Sequence, residues 1–283
     1  MSKVIVFRCG AGGSACLIAS VLMLAAQKGT PASDPIIENA RKAGATFIES
    51  LPKYLTKRTT TRLESARPTC STAQLMSDPD GCRDQAMQSW RTTDVVTADV
   101  VTDNGKEVDL NIKLNGSPAT AQDVDQSGSW SQGDYAGTLQ AILAPASAAK
   151  FTKQHQVTIV KRPAYRYEYS IDHPHSSWHL YAGSSSYSPA YGGEIWIDRD
   201  TSRVLRVTLS AHDVPDSFPM YRVEWSLDYD FVKIGAATPL VPTHAETLGC
   251  QRDTSICSKN STDFQDYKEY TSDTSVSFGD PGK

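Results

Sequence analysis

The chain is expected to fold as α+β: a strongly curved antiparallel sheet of about ten or eleven strands, a half-open barrel, with helices on its concave face. Three observations carry this expectation. Short segments that alternate apolar and polar residues recur from Lys53 to Phe278, separated by turn residues. Two segments, after Ala32 and after Gly133, instead place apolar residues at helical spacing. No linker and no repeat of fixed period divides the chain beyond its leader. A sheet with one apolar face must bury that face, and the two helices are the elements available to cover it.

The N-terminus stands apart. A short basic start, MSKVIVFR, precedes the apolar run Ala15–Ala26, which has the length of a signal-peptide core and is short for a bilayer span. Thr30 and Ala32 then stand at −3/−1 spacing. Residues 1–32 are therefore expected to be a signal peptide and residues 33–283 a single exported domain. Cleavage after Ala26 and an uncleaved anchor are the alternatives. The net charge of −4 comes with no basic stripe, which argues against a nucleic-acid partner.

The cysteines agree with export. Cys9 and Cys16 fall in the leader, and Cys70, Cys82, Cys250 and Cys257 remain. An even number in an exported chain points to disulfides. Three connectivities exist; Cys70–Cys82 with Cys250–Cys257 is favoured, because each closes a short polar loop. A zinc site is the alternative, but neither pair has C-x-x-C spacing and no histidine is close to either.

The elements follow in order. Ser33 or Asp34 can cap a helix with Pro35 in its first turn. Ile36, Ile37, Ala40, Ala43, Phe47, Ile48 and Leu51 form its apolar stripe, and Pro52 ends it. KYLTKRTTTRLES is Thr-rich and extended; Ala66–Gln88 reads as a polar excursion. TTDVVTADVVTDNGKEVDLNIKL is a hairpin about Asn104-Gly105, and Val108, Leu110, Ile112 and Leu114 give its second strand one wet face. A second helix carries Tyr135, Leu139, Ile142 and Leu143, broken by Pro145. Strands then dominate to Phe278, among them KQHQVTIVK, AYRYEYSI and the hairpin GGEIWIDRDTSRVLRVTL.

The order of these elements resembles the LolA/LolB-like family of exported lipoprotein carriers. The resemblance is carried by ESLPKYLTKRTTTR, DVVTADVVTDNGKEVDLNI, GDYAGTLQAIL and IWIDRDTSRVLRV. It implies a half-closed antiparallel barrel with helices plugging the concave side. It also implies an apolar ligand, such as a lipid, an acyl chain or a lipoprotein lipid moiety, and an envelope protein as partner. The Cys70–Cys82 excursion, the Cys250–Cys257 loop and a longer C-terminal segment depart from the family's pattern.

Several groups could carry chemistry. Asp198 and Asp200 could act as an acid/base pair, but Asp, Thr and Ser are ordinary turn formers, and Arg203 and Arg206 could pair with them across the ladder. Ser147–Lys150 matches S-x-x-K without its companion motifs, and GSWSQG misses the G-x-S-x-G spacing. Asp172, His173, His175 and His179 are the best metal candidates; read plainly, they form an exposed turn. Tyr165, Tyr167, Tyr169, Trp196 and Trp225 read first as aromatic ladders and second as ligand contacts. Asn115 and Asn260 match the glycosylation acceptor pattern.

The expectation is a binding protein without enzymatic activity or cofactor. Its apolar cleft would be formed by Leu139, Ile142 and Leu143 of the second helix and Ile195, Ile197, Leu205, Val207 and Leu209 of the hairpin. Thr208 would point outward to solvent. The rivals are an interaction module whose concave face is filled by its own side chains and a metal-assisted hydrolase at the histidine turn.

Overall fold

In the computed structural model, residues 34–47, 51–66, 70–78, 81, 84–85, 87, 89–103, 106–127 and 135–270 are described. The expected signal peptide, the Asn104-Gly105 turn, GSWSQG, Ile48, Cys82 and the strand at 274–278 lie outside these residues. The strands are β1 (Tyr54–Ser65), β2 (Trp90–Asp103), β3 (Lys106–Leu114), β4 (Ser117–Pro118), β5 (Lys150–Ile159) and β6 (Arg162–Ile171). They continue with β7 (Leu180–Ala182), β8 (Ser185–Tyr187), β9 (Ala190–Asp198), β10 (Val204–His212), β11 (Met220–Phe231), β12 (Leu240–Gln251) and β13 (Cys257–Glu269). Eleven of them form one sheet in the order β4-β3-β2-β1-β13-β12-β11-β10-β9-β6-β5, while β7 and β8 pair as a separate hairpin. All neighbours are antiparallel. The end strands β4 and β5 do not pair with each other, so the sheet is open.

The helices are α1 (Pro35–Ala45), α2 (Thr72–Ser77), α3 (Ala121–Ser127) and α4 (Tyr135–Leu143). Topology puts α3 and α4 over the sheet. The chain leaves β4 at one edge and re-enters at β5 on the other, and these two helices lie in that connection. Asp34 caps α1 by accepting from the Ile36 N–H at 2.9 Å, and its second oxygen accepts from the Tyr167 hydroxyl at 2.7 Å. The cap therefore also ties α1 to β6. Ile37, Ala40 and Gly44 are the buried stripe of α1. The helix ends at Ala45, earlier than the apolar stripe implied, and Phe47 continues inward to meet Tyr229 edge-on at 5.9 Å.

Helix α3 was not expected. Thr120 opens it, its hydroxyl accepting from the Asp123 N–H at 3.2 Å while Asp123 accepts from the Thr120 N–H at 2.8 Å. This reciprocal cap was legible as Thr-x-x-Asp. Those Thr120 hydrogen bonds hold the Asp123 carboxyl below the usual range.

The concave face changes character across the sheet. One row of paired residues runs Asp94, Arg62, Asn260, Thr247, Trp225, Leu209 from β2 to β10. The next row runs Val96, Thr60, Thr262, Ala245, Leu227, Val207, Ile195, Tyr167. Both pass from a largely polar β1–β13 side to an apolar β10–β9 side. Alternation in β1 thus buries Thr56, Arg58, Thr60 and Arg62, with Thr60 and Thr262 hydrogen-bonded at 2.9 Å. The apolar core lies under α1 and α4.

The β5–β6 connection carries strain. Ile159 pairs with Arg162, leaving Val160 and Lys161 as a two-residue turn with φ of 50° and 61°. A β-branched residue disfavours that conformation, which Asn-Gly adopts readily. Val160→Asn with Lys161→Gly should stabilise the protein by about 1–2 kcal/mol. Thermal unfolding followed by circular dichroism checks this; an unchanged or lower midpoint would contradict it. KQHQVTIVK implies a strand through Lys161, because Val-Lys is no turn signal; the strand ends at Ile159.

Candidate functional site

The site grows from the wall of residues that alternation predicted. Ile195, Ile197, Leu205, Val207 and Leu209 are all buried and belong to one core cluster with Leu139, Ile142 and Leu143. Close backbone approach shapes this wall. A Cβ on Gly193 would lie 2.0 Å from the Thr208 carbonyl oxygen, so only glycine fits there. Tyr169, opposite Gly193, donates its hydroxyl to the same carbonyl at 2.8 Å. Burial pushes its own titration well up. Thr208 is not a free outward position, since its hydroxyl accepts from the Glu194 N–H at 2.9 Å.

Beside the packed wall lies an open cleft of about 1690 Å³. Helix α4 contributes Gly137, Thr138, Ala141 and Ile142, one helical face at i, i+4 spacing. Its other side packs on α1, where the Leu143 side chain comes within 2.9 Å of the place a Cβ on Gly44 would take. The sheet contributes Tyr191, Leu209, Val223, Trp225, Thr247 and Asn260. The β7–β8 segment adds Trp178 and Leu180, and Trp178 stacks edge-on against Tyr191 at 5.6 Å. Of the eight residues expected to form a cleft, Ile142 and Leu209 line this one. The other six are packed in the core between sheet and helices.

Two charged groups hold the polar end. Arg62 makes a two-point contact to Asp94, at 2.5 and 2.9 Å, and donates to the Val124 carbonyl of α3 at 3.0 Å. Arg252 holds the loop before β11, donating to the carbonyls of Phe218, Pro215 and Met220 and pairing with Asp216 at 3.0 Å. Cys250 and Cys257 form a disulfide that closes the β12–β13 turn at this end. Cys70 is disulfide-bonded as well, and its pairing with Cys82 remains a proposal.

The other chemical candidates have structural partners. Asp198 is 1% exposed, so the turn is anchored inside the protein and is not merely solvated. Arg162 of β6, and neither Arg203 nor Arg206, pairs with it at 2.5 and 3.2 Å. Thr201 donates both its N–H and its hydroxyl at 2.8 Å. Arg203 lies over Phe47, and Arg206 stacks on Trp196 and pairs with Asp228. Burial alone would raise the Asp198 titration, but the Arg162 and Thr201 hydrogen bonds outweigh it and hold the carboxyl low. A depressed carboxyl contributes stability above its unfolded value, near 3.8, and loses it as pH falls through the folded value. Urea midpoints should therefore fall below about pH 4 more steeply for the native protein than for Asp198→Asn. Parallel curves would contradict this role.

Ser147 is buried, with its hydroxyl 2.8 Å from the Ile142 and Ala144 carbonyls at the end of α4, where it acts as a cap. The histidines engage separate partners: His175 with Asp172 at 2.5 Å, His179 with Ser188 at 2.7 Å, and His173 with the Tyr187 ring. Among the described residues no group of three His, Cys, Asp or Glu side chains is placed to hold a metal ion. Asn260 is 5% exposed on the concave face, and Asn115 accepts from the Val95 N–H at 2.9 Å. Among the described residues no helix is long and apolar enough to cross a membrane.

No protein-family model and no curated protein matches the chain. Among solved structures it is similar to a LolA superfamily protein from Nitrosomonas europaea, with 9% identity, 83% of this chain and 92% of that chain covered, and a TM-score of 0.29. It is similar to a DUF1329 family protein from Desulfovibrio piger, with 10% identity, 86% and 95% coverage, and a TM-score of 0.32. It is also similar to the Pseudomonas aeruginosa MucA/MucB complex, with 11% identity, 81% and 93% coverage, and a TM-score of 0.22. A LolA superfamily structure stands among them; the likeness assigns no ligand or partner.

Proposed function

We propose that the chain is an exported binding protein, with a signal peptide over 1–32 and one domain over 33–283. It holds an apolar ligand, a lipid or acyl chain, without catalysing a reaction. The observation that carries this reading is the cleft of about 1690 Å³ between α4 and the apolar strands. Ile142, Leu209, Tyr191, Trp178 and Trp225 give it an apolar wall. Sequestering acyl surface there contributes about 25 cal/mol per Å². The Cys250–Cys257 disulfide supports an oxidising compartment.

A neutral fluorescent probe, N-phenyl-1-naphthylamine, tests the reading. The native protein should bind it at micromolar concentration with enhanced emission. Ala141→Trp, which fills the cleft from α4, should weaken binding at least tenfold with an unchanged urea midpoint. One observation favours the packed interaction module instead: six of the eight expected cleft residues are wholly within the core. No probe uptake by folded native protein would decide for that module, with an envelope protein as its partner.

A further inference from the structure

We propose that the ligand of this cleft is an amphiphile with an uncharged, hydroxyl- or amide-bearing head, its head over β12–β13 and its tail over β9–β11. This rests on the cleft being a ligand site, as read above. Two adjacent rows of the sheet set the polarity of the cleft floor. The first passes from Asn260 through Thr247 to Trp225 and Leu209. The second passes from Ser258 through Gly249 to Val223. Hydroxyl and amide groups therefore stand on β12–β13, and aromatic and aliphatic groups on β10–β11. The distance from β13 to β10 is three strand spacings, about 14 Å, room for a head and the start of a chain. The tail end is roofed by Ala141 and Ile142 of α4 and flanked by Tyr191.

Charge argues against an anionic head. Asp125, Asp216, Glu224 and Asp253 lie around the cleft, and Arg252 is the one guanidinium among the described lining residues. Its donors are committed to three backbone carbonyls and to Asp216. Arg62, next to Asn260 along the floor row, is 2% exposed and closed by Asp94. A carboxylate or phosphate entering here would lose water without gaining an uncommitted cation among the described residues. A hydroxyl or amide head exchanges its water for hydroxyl groups on Thr247 and Ser258.

Competition against bound N-phenyl-1-naphthylamine, with the full chain and each lipid below its aggregation concentration, tests the assignment. 1-Monooleoylglycerol should displace the probe at a concentration at least tenfold lower than oleate. Thr247→Val keeps the shape and removes the hydroxyl. It should narrow that gap, taken as the ratio of the two displacement concentrations within the variant, at least threefold. Equal or better displacement by oleate overturns the head assignment while leaving the probe site standing, and strongest displacement by oleylamine overturns it in favour of a cationic head. An unchanged gap in Thr247→Val overturns the placement of the head. Failure of the native protein to bind the probe at all overturns the underlying reading.

Discussion

Leu205→Glu should unfold the protein. Leu205 is wholly buried in the core cluster, on β10 beneath the helices. A carboxylate there has no water and no cation provided for it. The cost of an unpaired buried charge is several kcal/mol, and the leucine's own burial, about 1.5–3 kcal/mol, is lost with it. The sum is comparable with the 5–15 kcal/mol that holds a typical domain together. The expected result is loss of the cooperative urea transition and of near-ultraviolet circular dichroism. Thr97→Glu is the matched control, since Thr97 faces Lys113 on the neighbouring strand and the added charge gains a partner. Thr208 cannot serve, because its hydroxyl satisfies the Glu194 amide. A folded Leu205→Glu with native stability would mean that the wall is open to water, contrary to its burial.

Removing Arg62 should be nearly as costly. Its guanidinium binds Asp94 at two points and the Val124 carbonyl at a third, and both side chains of the pair are buried, at 3% and 10% exposure. Truncation strands Asp94 in the interior, where breaking one side of a buried pair costs about 3–5 kcal/mol. Arg62→Ala should lower the urea-derived stability by that amount. Arg62→Met combined with Asp94→Leu should recover most of it, because an apolar pair of similar size leaves no charge behind. If the double variant is no better than the single one, the role of Arg62 lies in holding α3 and not in neutralising Asp94.

These two residues mark the limit of what the chain reveals unfolded. Leu205 was legible: strict alternation in Ile195, Ile197, Leu205, Val207 and Leu209 places five apolar groups on one face, whatever the rest of the protein does. Arg62 was not. Its strand, KYLTKRTTTRLES, alternates equally well, but with threonine and basic residues on both faces, Arg58 and Arg62 on one and Lys57 on the other, and nothing local says which face turns inward. Register against β13 and β2 decides that, through partners about 200 and 30 residues away. The partner of buried Asp198 was missed for the same reason, since Arg203 and Arg206 are nearer in sequence but the half-exposed Arg162 arrives on β6. The Thr120 cap and its helix were present as a local signal and passed over.

The sequence by itself determined the strand-rich α+β class, the helices α1 and α4, and the apolar rib of β9 and β10; among three connectivities it favoured the Cys250–Cys257 pairing that the structure shows. Each is a matter of period, spacing or turn chemistry within a few residues. Only the tertiary structure decided where the concave face is filled and where it is open. The β4-to-β5 connection must cross the whole sheet, and α4, which lies in it, covers one part of the apolar wall, while among the described residues the Trp225–Thr247–Asn260 floor stays open beside it. That outcome depends on pairing between the first strand and the last, which local sequence does not encode.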